Sequence, residues 1–236
     1  MLTHVLIMDY WRGACIAYPR GGQEDLDEGC PKASAVGGPA TDSVKRMTEA
    51  RQARETDPSD HGAPAAPEPD GKDWTWVLDA RCPECGFQAS EVDPGTIGRT
   101  VRELLPRWHA VLSRPAAGVR SDPLVWSPLE YGCHVRDVFT IFADRAELML
   151  QQQAPSFANW DQDETALTER YWSQEPAAVA AQLSAAGQRA ADTFDSVGQD
   201  QWQRTGLRSN GSRFTVETLG QYFLHDIVHH LHDVRG

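Results

Sequence analysis

TVETLGQYFLHDIVHHLHDV, residues 215–234, carries His225, His229, His230 and His232 on a segment with helical periodicity. Leu219, Phe223, Leu224, Ile227, Val228 and Leu231 recur at three- and four-residue steps, so the segment reads as a largely buried helix. Thr215 stands at its N-cap, and Phe214 and Leu219 occupy the positions of a hydrophobic staple. The spacing of His225 and His229 puts two imidazoles on one helix face, one turn apart. A buried imidazole is costly unless its nitrogens are paired, and two at this spacing can bind one transition metal. His230 points about 100° away from the pair and His232 lies about 10 Å along the axis from His225, so neither joins them on one ion.

Three further amphipathic segments precede this one. Asp93-Pro94 opens a helix to about Leu112, with Pro106 inside it expected to kink or split it. Ser127-Pro128-Leu129-Glu130 is a capping box that starts a helix running to about Gln153. Pro176 to Val197 is an alanine-rich helix with Gly198 placed to stop it. The long connection between the last two holds a helical turn near 166–172. Residues 202–214 read as loop, with a turn at 209–212. Four amphipathic helices with long connections describe an all-α four-helix bundle, an architecture that builds metal sites from side chains on facing helices.

The N-terminal third is of another kind. Residues 1–72 hold Gly21-Gly22, Gly37-Gly38-Pro39, the Pro64–Pro69 stretch and an acidic run at 24–28, with no sustained apolar period. Such a segment cannot bury enough surface to offset its ordering entropy and is expected to be disordered, save a short helix at 43–54. Met47 raises the alternative of a later start. Residues 73–93 form a short lead-in, with the β-favourable run Trp74–Leu78 followed by Cys82-Pro-Glu-Cys85-Gly. The bundle is then residues 94–236.

Net charge is −12, with 22 Lys and Arg against 34 Asp and Glu, which argues against nucleic acid or an anionic membrane as partner. Mean hydropathy is −0.50, and no stretch approaches the roughly 20 apolar residues of a membrane span; the chain reads as cytoplasmic. Five cysteines, Cys15, Cys30, Cys82, Cys85 and Cys133, are not a secreted disulfide framework. Cys82-x-x-Cys85 resembles one knuckle of a zinc ribbon without a second CxxC pair; a half-site, a redox pair and a plain turn all stay open. Cys133 is expected to be a buried, inert thiol.

The third ligand for the His225–His229 pair has to come from another helix. His134, two turns into its helix, is a better candidate than His109 near a helix end; His4 and His61 lie in the N-terminal segment. Asp137 and Asp226 could orient the imidazoles from behind, and the Tyr222 hydroxyl, one turn before His225, could face the open position. Three histidines with a free position suit zinc, nickel, iron or manganese.

Trp126-Ser-Pro-Leu-Glu130, His134-Val-Arg-Asp137 and the terminal His225-Asp-Ile-Val-His229-His resemble the DinB-like superfamily over roughly residues 97–234. The resemblance implies a four-helix bundle of unusual helix order with a divalent metal on three histidines, here His134, His225 and His229, zinc being the leading ion. It also implies a small-molecule substrate. The leading reaction is a thiol-dependent S-transfer or isomerisation of the mycothiol type, in which the metal stabilises a thiolate; metal-dependent hydrolysis is the alternative. An arginine- and alanine-rich bundle with no lysine after Lys72 fits a high-GC bacterial source, a setting compatible with mycothiol. A non-enzymatic, stress-linked metal-binding bundle is the competing class, and self-association as a homodimer is left open.

Overall fold

The structure, a computed structural model, describes residues 62, 64, 65, 67, 69 and 71–236. All of these belong to one compact unit, Asp57–Gly236. The expected helix at 43–54, the alternative start at Met47, and His4, His61, Cys15 and Cys30 lie outside the described residues, as does most of the segment 1–72.

Five α-helices follow one another among the described residues: α1 (Ile97–Leu112), α2 (Pro128–Gln151), α3 (Gln162–Thr168), α4 (Pro176–Asp195) and α5 (Val216–Asp233). The four long ones form the bundle. α4 packs between α1 and α2, while α5 closes the far side against α2 and α1. The order around the bundle is therefore α1, α4, α2, α5, so α1 lies across the bundle from α2, and α4 from α5. Phe223 of α5 fills the centre, with ring contacts to Phe139, Phe142 and Phe194 at 5.8, 5.4 and 5.3 Å.

The helix starts obey their local chemistry. Ser127 accepts from the Glu130 amide while the Glu130 carboxylate takes the Ser127 amide. Thr215 and Thr218 make the equivalent reciprocal pair at the start of α5, with Phe214 and Leu219 both buried beside it. α1 is preceded by a 3₁₀ turn, Pro94–Thr96, capped by Asp93.

Four expectations need correction. Pro106 does not split α1; it sits on the exposed face, where the Arg102 carbonyl deprived of its helical donor can be hydrated. α4 ends at Asp195 with Ser196 as its C-cap, and Gly198 is not in the left-handed region; its amide is held by the Gln201 side chain instead. Residues 205–215 are a hairpin rather than loop. β2 (Thr205–Arg208) pairs antiparallel with β3 (Arg213–Thr215), and β1 (Ser156–Phe157) pairs parallel with β2. Gly211, at φ +99°, permits the tight turn. Trp74–Leu78, finally, is a 3₁₀ turn rather than a strand, because the Asp73 carboxylate caps the Thr75 amide. No helix among the described residues is long and apolar enough to cross a membrane.

Candidate metal centre

The bundle brings His134 of α2 beside α5. The capping box sets where α2 begins, and His134 follows one turn after Glu130, fully buried. Its ring stacks on Trp160 at 5.2 Å and 7° and leans against Trp126 at 5.5 Å. Burial lowers its pKa and Asp226 opposes this; we assign the neutral imidazole, the form that ligates metals.

The expected trio is divided. His134 meets Asp226 and His230, whereas His225 and His229 meet Cys82 and Cys85; in each group the ligand atoms all lie within 4.8 Å of one another. Helix phase explains the division. Asp226 and His230 repeat the i,i+4 spacing of His225 and His229 one residue later, and one residue turns the helix by about 100°. The pair that faces α2 is Asp226–His230; the pair that faces the lead-in segment is His225–His229.

In the first cluster, Asp226 Oδ1 lies 3.3 Å from His134 Nε2 and 3.6 Å from His230 Nε2. Ligands about 2.1 Å from a tetrahedral ion stand about 3.4 Å apart, so these separations fit one shared cation, and the 3.6 Å contact is too long for a hydrogen bond. His230 Nδ1 lies 2.9 Å from Asp233 Oδ2, which leaves Nε2 as the ligand nitrogen. Two imidazoles and a carboxylate suit zinc, iron or manganese. Asp226 thus lies in direct contact with the His134 ring, at 3.3 Å.

In the second cluster, Cys82 Sγ lies 3.6 Å from His229 Nδ1. Burial pushes the His225 pKa down to about 4, the neighbouring His229 adding to it, and His225 Nε2 has no hydrogen-bond partner.

Both clusters border a cleft of about 530 Å³ lined by Trp74, Trp126, Tyr131 and Tyr222 together with a carboxylate-rich rim. Glu84, Asp122, Asp163, Asp226 and Asp233 lie on it, and Lys72 is the one Lys or Arg among its described lining residues. Tyr222 therefore does face the cleft, although its ring also packs on Phe142 and Phe214.

Other candidates have different work. His109 is exposed near the end of α1, beside Ser113. Cys133 is buried and its thiol is pushed up to about 12, chiefly by burial. Asp137 accepts from the Tyr171 hydroxyl and from Arg136. Trp202 is part of the core.

Sequence reasoning set His230 aside and placed Asp226 behind the imidazoles, whereas the structure groups both with His134. The signal was present as DxxxH, hidden inside HxxxH because the two motifs interleave. It also looked for a second CxxC to complete Cys82 and Cys85, when the pair they meet is histidine.

No curated protein matches this chain. A solved structure that is similar is that of YfiT from Bacillus subtilis, described as a probable metal-dependent hydrolase with an unusual four-helix bundle topology. It shares 16% identity, at a TM-score of 0.53, over 59% of this chain and 82% of that one. The likeness is one of fold. The model of the DinB superfamily matches residues 97–234, the whole of the bundle. On that match, and with the bundle in place, the chain belongs to the DinB superfamily.

Proposed function

We propose that the chain is a divalent-metal-dependent enzyme whose ion is held by His134, Asp226 and His230 and which acts as a hydrolase on a neutral or cationic small molecule. The observation that carries this reading is the convergence of the three donor atoms at the edge of the cleft, with Asp233 fixing the His230 tautomer. Three protein ligands leave coordination positions free. A divalent cation held there supplies Lewis-acid chemistry, lowering the pKa of a nucleophile that reaches it.

The chain's own residues do the rest. Trp126 and Trp160 wall the His134 ring and keep water from its faces. Asp163 adds a further carboxylate to the wall of the same cleft. The acidic rim raises the local concentration of cations and repels anions, which selects against substrates that carry carboxylates or phosphates.

The thiol-dependent S-transfer or isomerisation implied by the family resemblance uses the same ion, and zinc suits both readings. Family membership supports it; the acidic rim counts against small thiols that bear a carboxylate. Untagged protein should contain metal that His134→Ala and His230→Ala each remove from this cluster. Turnover of ester or amide substrates without added thiol is the expected result. Turnover that appears only with a low-molecular-weight thiol would establish the S-transfer reading. Metal content unchanged by either substitution would sink both.

A further inference from the structure

The lead-in segment does not look able to hold itself in place. Between Trp74 and Glu91 its buried side chains are Val77, Cys82 and Ala89, and its regular structure is two short 3₁₀ turns. Yet it lies against α5 and contributes Trp74 and Glu84 to the wall of the cleft. Leu78 and Phe87 add partly buried contacts with the core, a small apolar hold for a segment of this length.

We propose that Cys82, Cys85, His225 and His229 form a second metal site, a closed Cys₂His₂ zinc centre that clamps the lead-in onto α5. It is separate from the ion at His134 and does not depend on that assignment.

Four observations support it. The first is distance. With zinc–sulfur and zinc–nitrogen bonds of about 2.3 and 2.05 Å, tetrahedral ligands stand about 3.6 Å apart, and Cys82 Sγ to His229 Nδ1 is 3.6 Å. The second is an unmet demand. The buried His225 Nε2 lacks a partner, an unfavourable state that a cation bound through it would relieve.

The third is the shape of the cysteine turn. The Gly86 amide donates to the Cys82 carbonyl at 2.9 Å and the Cys82 amide to the Phe87 carbonyl at 2.8 Å. Gly86 takes φ +77°, a conformation that favours glycine. These bonds close the CxxC segment into a tight turn that holds both cysteines on one side of α5. The fourth is what surrounds the ligands. Glu84, inside the knuckle, places Oε2 3.5 Å from His229 Nε2, on the side of the ring away from Cys82. Trp74 packs on both imidazoles, at 5.5 and 4.9 Å, and Phe87 packs on His225 at 5.5 Å.

The charges and protons balance. Two thiols become thiolates and two histidines stay neutral, so each zinc bound releases two protons to the buffer. The resulting centre carries no net charge, which keeps the cost of its burial low. Four protein ligands fill a tetrahedral zinc, so the site is structural rather than catalytic.

The test uses full-length, untagged protein. Elemental analysis should find one metal for each cluster, and cobalt-exchanged protein should show a thiolate-to-cobalt charge-transfer band. In Cys82→Ser/Cys85→Ser the band should vanish, one equivalent should be lost, and protease should cut more readily within residues 73–91. His134→Ala should lose the other equivalent and keep the band, which separates failure here from failure of the proposed catalytic ion. If the double variant does not fold, the wild-type cobalt spectrum and zinc stoichiometry decide alone. A wild-type protein without the band, or with Cys82 and Cys85 found as a disulfide, overturns the proposal.

Discussion

Asp233 Oδ2 lies 2.9 Å from Nδ1 of His230, and this contact decides which ring nitrogen His230 turns toward Asp226. The other oxygen, Oδ1, is 3.8 Å from His229 Nε2. One carboxylate near the end of α5 therefore stands behind a histidine of each cluster. Removing a group that orients a ligand typically costs 10–100-fold in metal affinity. Asp233→Ala should weaken metal binding at the His134 cluster by about that factor, measured by competition against a chromophoric chelator. An unchanged dissociation constant would show that His230 needs no orienting partner.

Glu130 links helix capping to pH. Burial alone would raise its pKa, but the Arg120 guanidinium and the Ser127 donors outweigh burial and hold the carboxyl below its ordinary 4.5. A depressed carboxylate stabilises the fold fully above the unfolded value and loses that contribution as pH falls from about 4.5 through the folded value. Glu130→Gln should destabilise the protein near neutrality by about 3 kcal/mol, since it leaves Arg120 facing a neutral partner in a buried setting. It should also flatten the acid limb of the stability curve below about pH 4.5. Denaturant titrations across pH 3.5–7 would read both effects.

α1 and α4 cross where Gly98 faces Ala191 and Asp195. A Cβ at position 98 would lie 2.1 Å from Asp195 Oδ1 and 2.6 Å from the Ala191 carbonyl oxygen. The carboxylate could swing aside only by leaving Arg102, with which it pairs at 2.6 Å, and the carbonyl cannot move without shifting α4. Gly98→Ala should therefore destabilise by about 1–3 kcal/mol, although alanine is worth about 1 kcal/mol more than glycine in a helix. A urea midpoint equal to or above wild type would mean that the helices can part at no cost.

The residues before the compact unit should be dispensable. A chain beginning at Asp57 keeps the Ala65 carbonyl that accepts from Arg120 and Pro67 on the cleft wall. We expect it to unfold in a single cooperative transition with the full-length midpoint and metal content. A lower midpoint would show that residues 1–56 pack on it.

Much of the bundle could be read from residues whose signals are local. The Ser127–Glu130 box, Thr215 with its Phe214–Leu219 staple, and the apolar stripes of α1, α2, α4 and α5 each specify structure within a few positions of themselves. The β2–β3 hairpin escaped because strands so short carry too little alternation to register. Trp74–Leu78, a β-favourable run by composition, turns instead because the Asp73 side chain caps its backbone. Of the candidate site, the type of chemistry was visible in the histidines, and the grouping was not. Which of His225 and Asp226 looks toward α2 depends on how α5 is rotated in the bundle, and that is set by packing around Phe223, far in sequence from His134 and Cys82.

α5 thus works as a gear between two ligand sets. Its two i,i+4 pairs are offset by one residue, so the angle between them is built into the helix and no side-chain rearrangement can alter it. A twist of α5 that draws His229 toward Cys82 also swings His230 relative to His134. Filling one cluster would therefore set the strain felt at the other, and by reciprocity each ion would change the other's affinity by the same factor. The binding of two metals would then be a cooperative property of one helix, with a coupling constant that titrating either cluster, with the other full and then empty, would return identically.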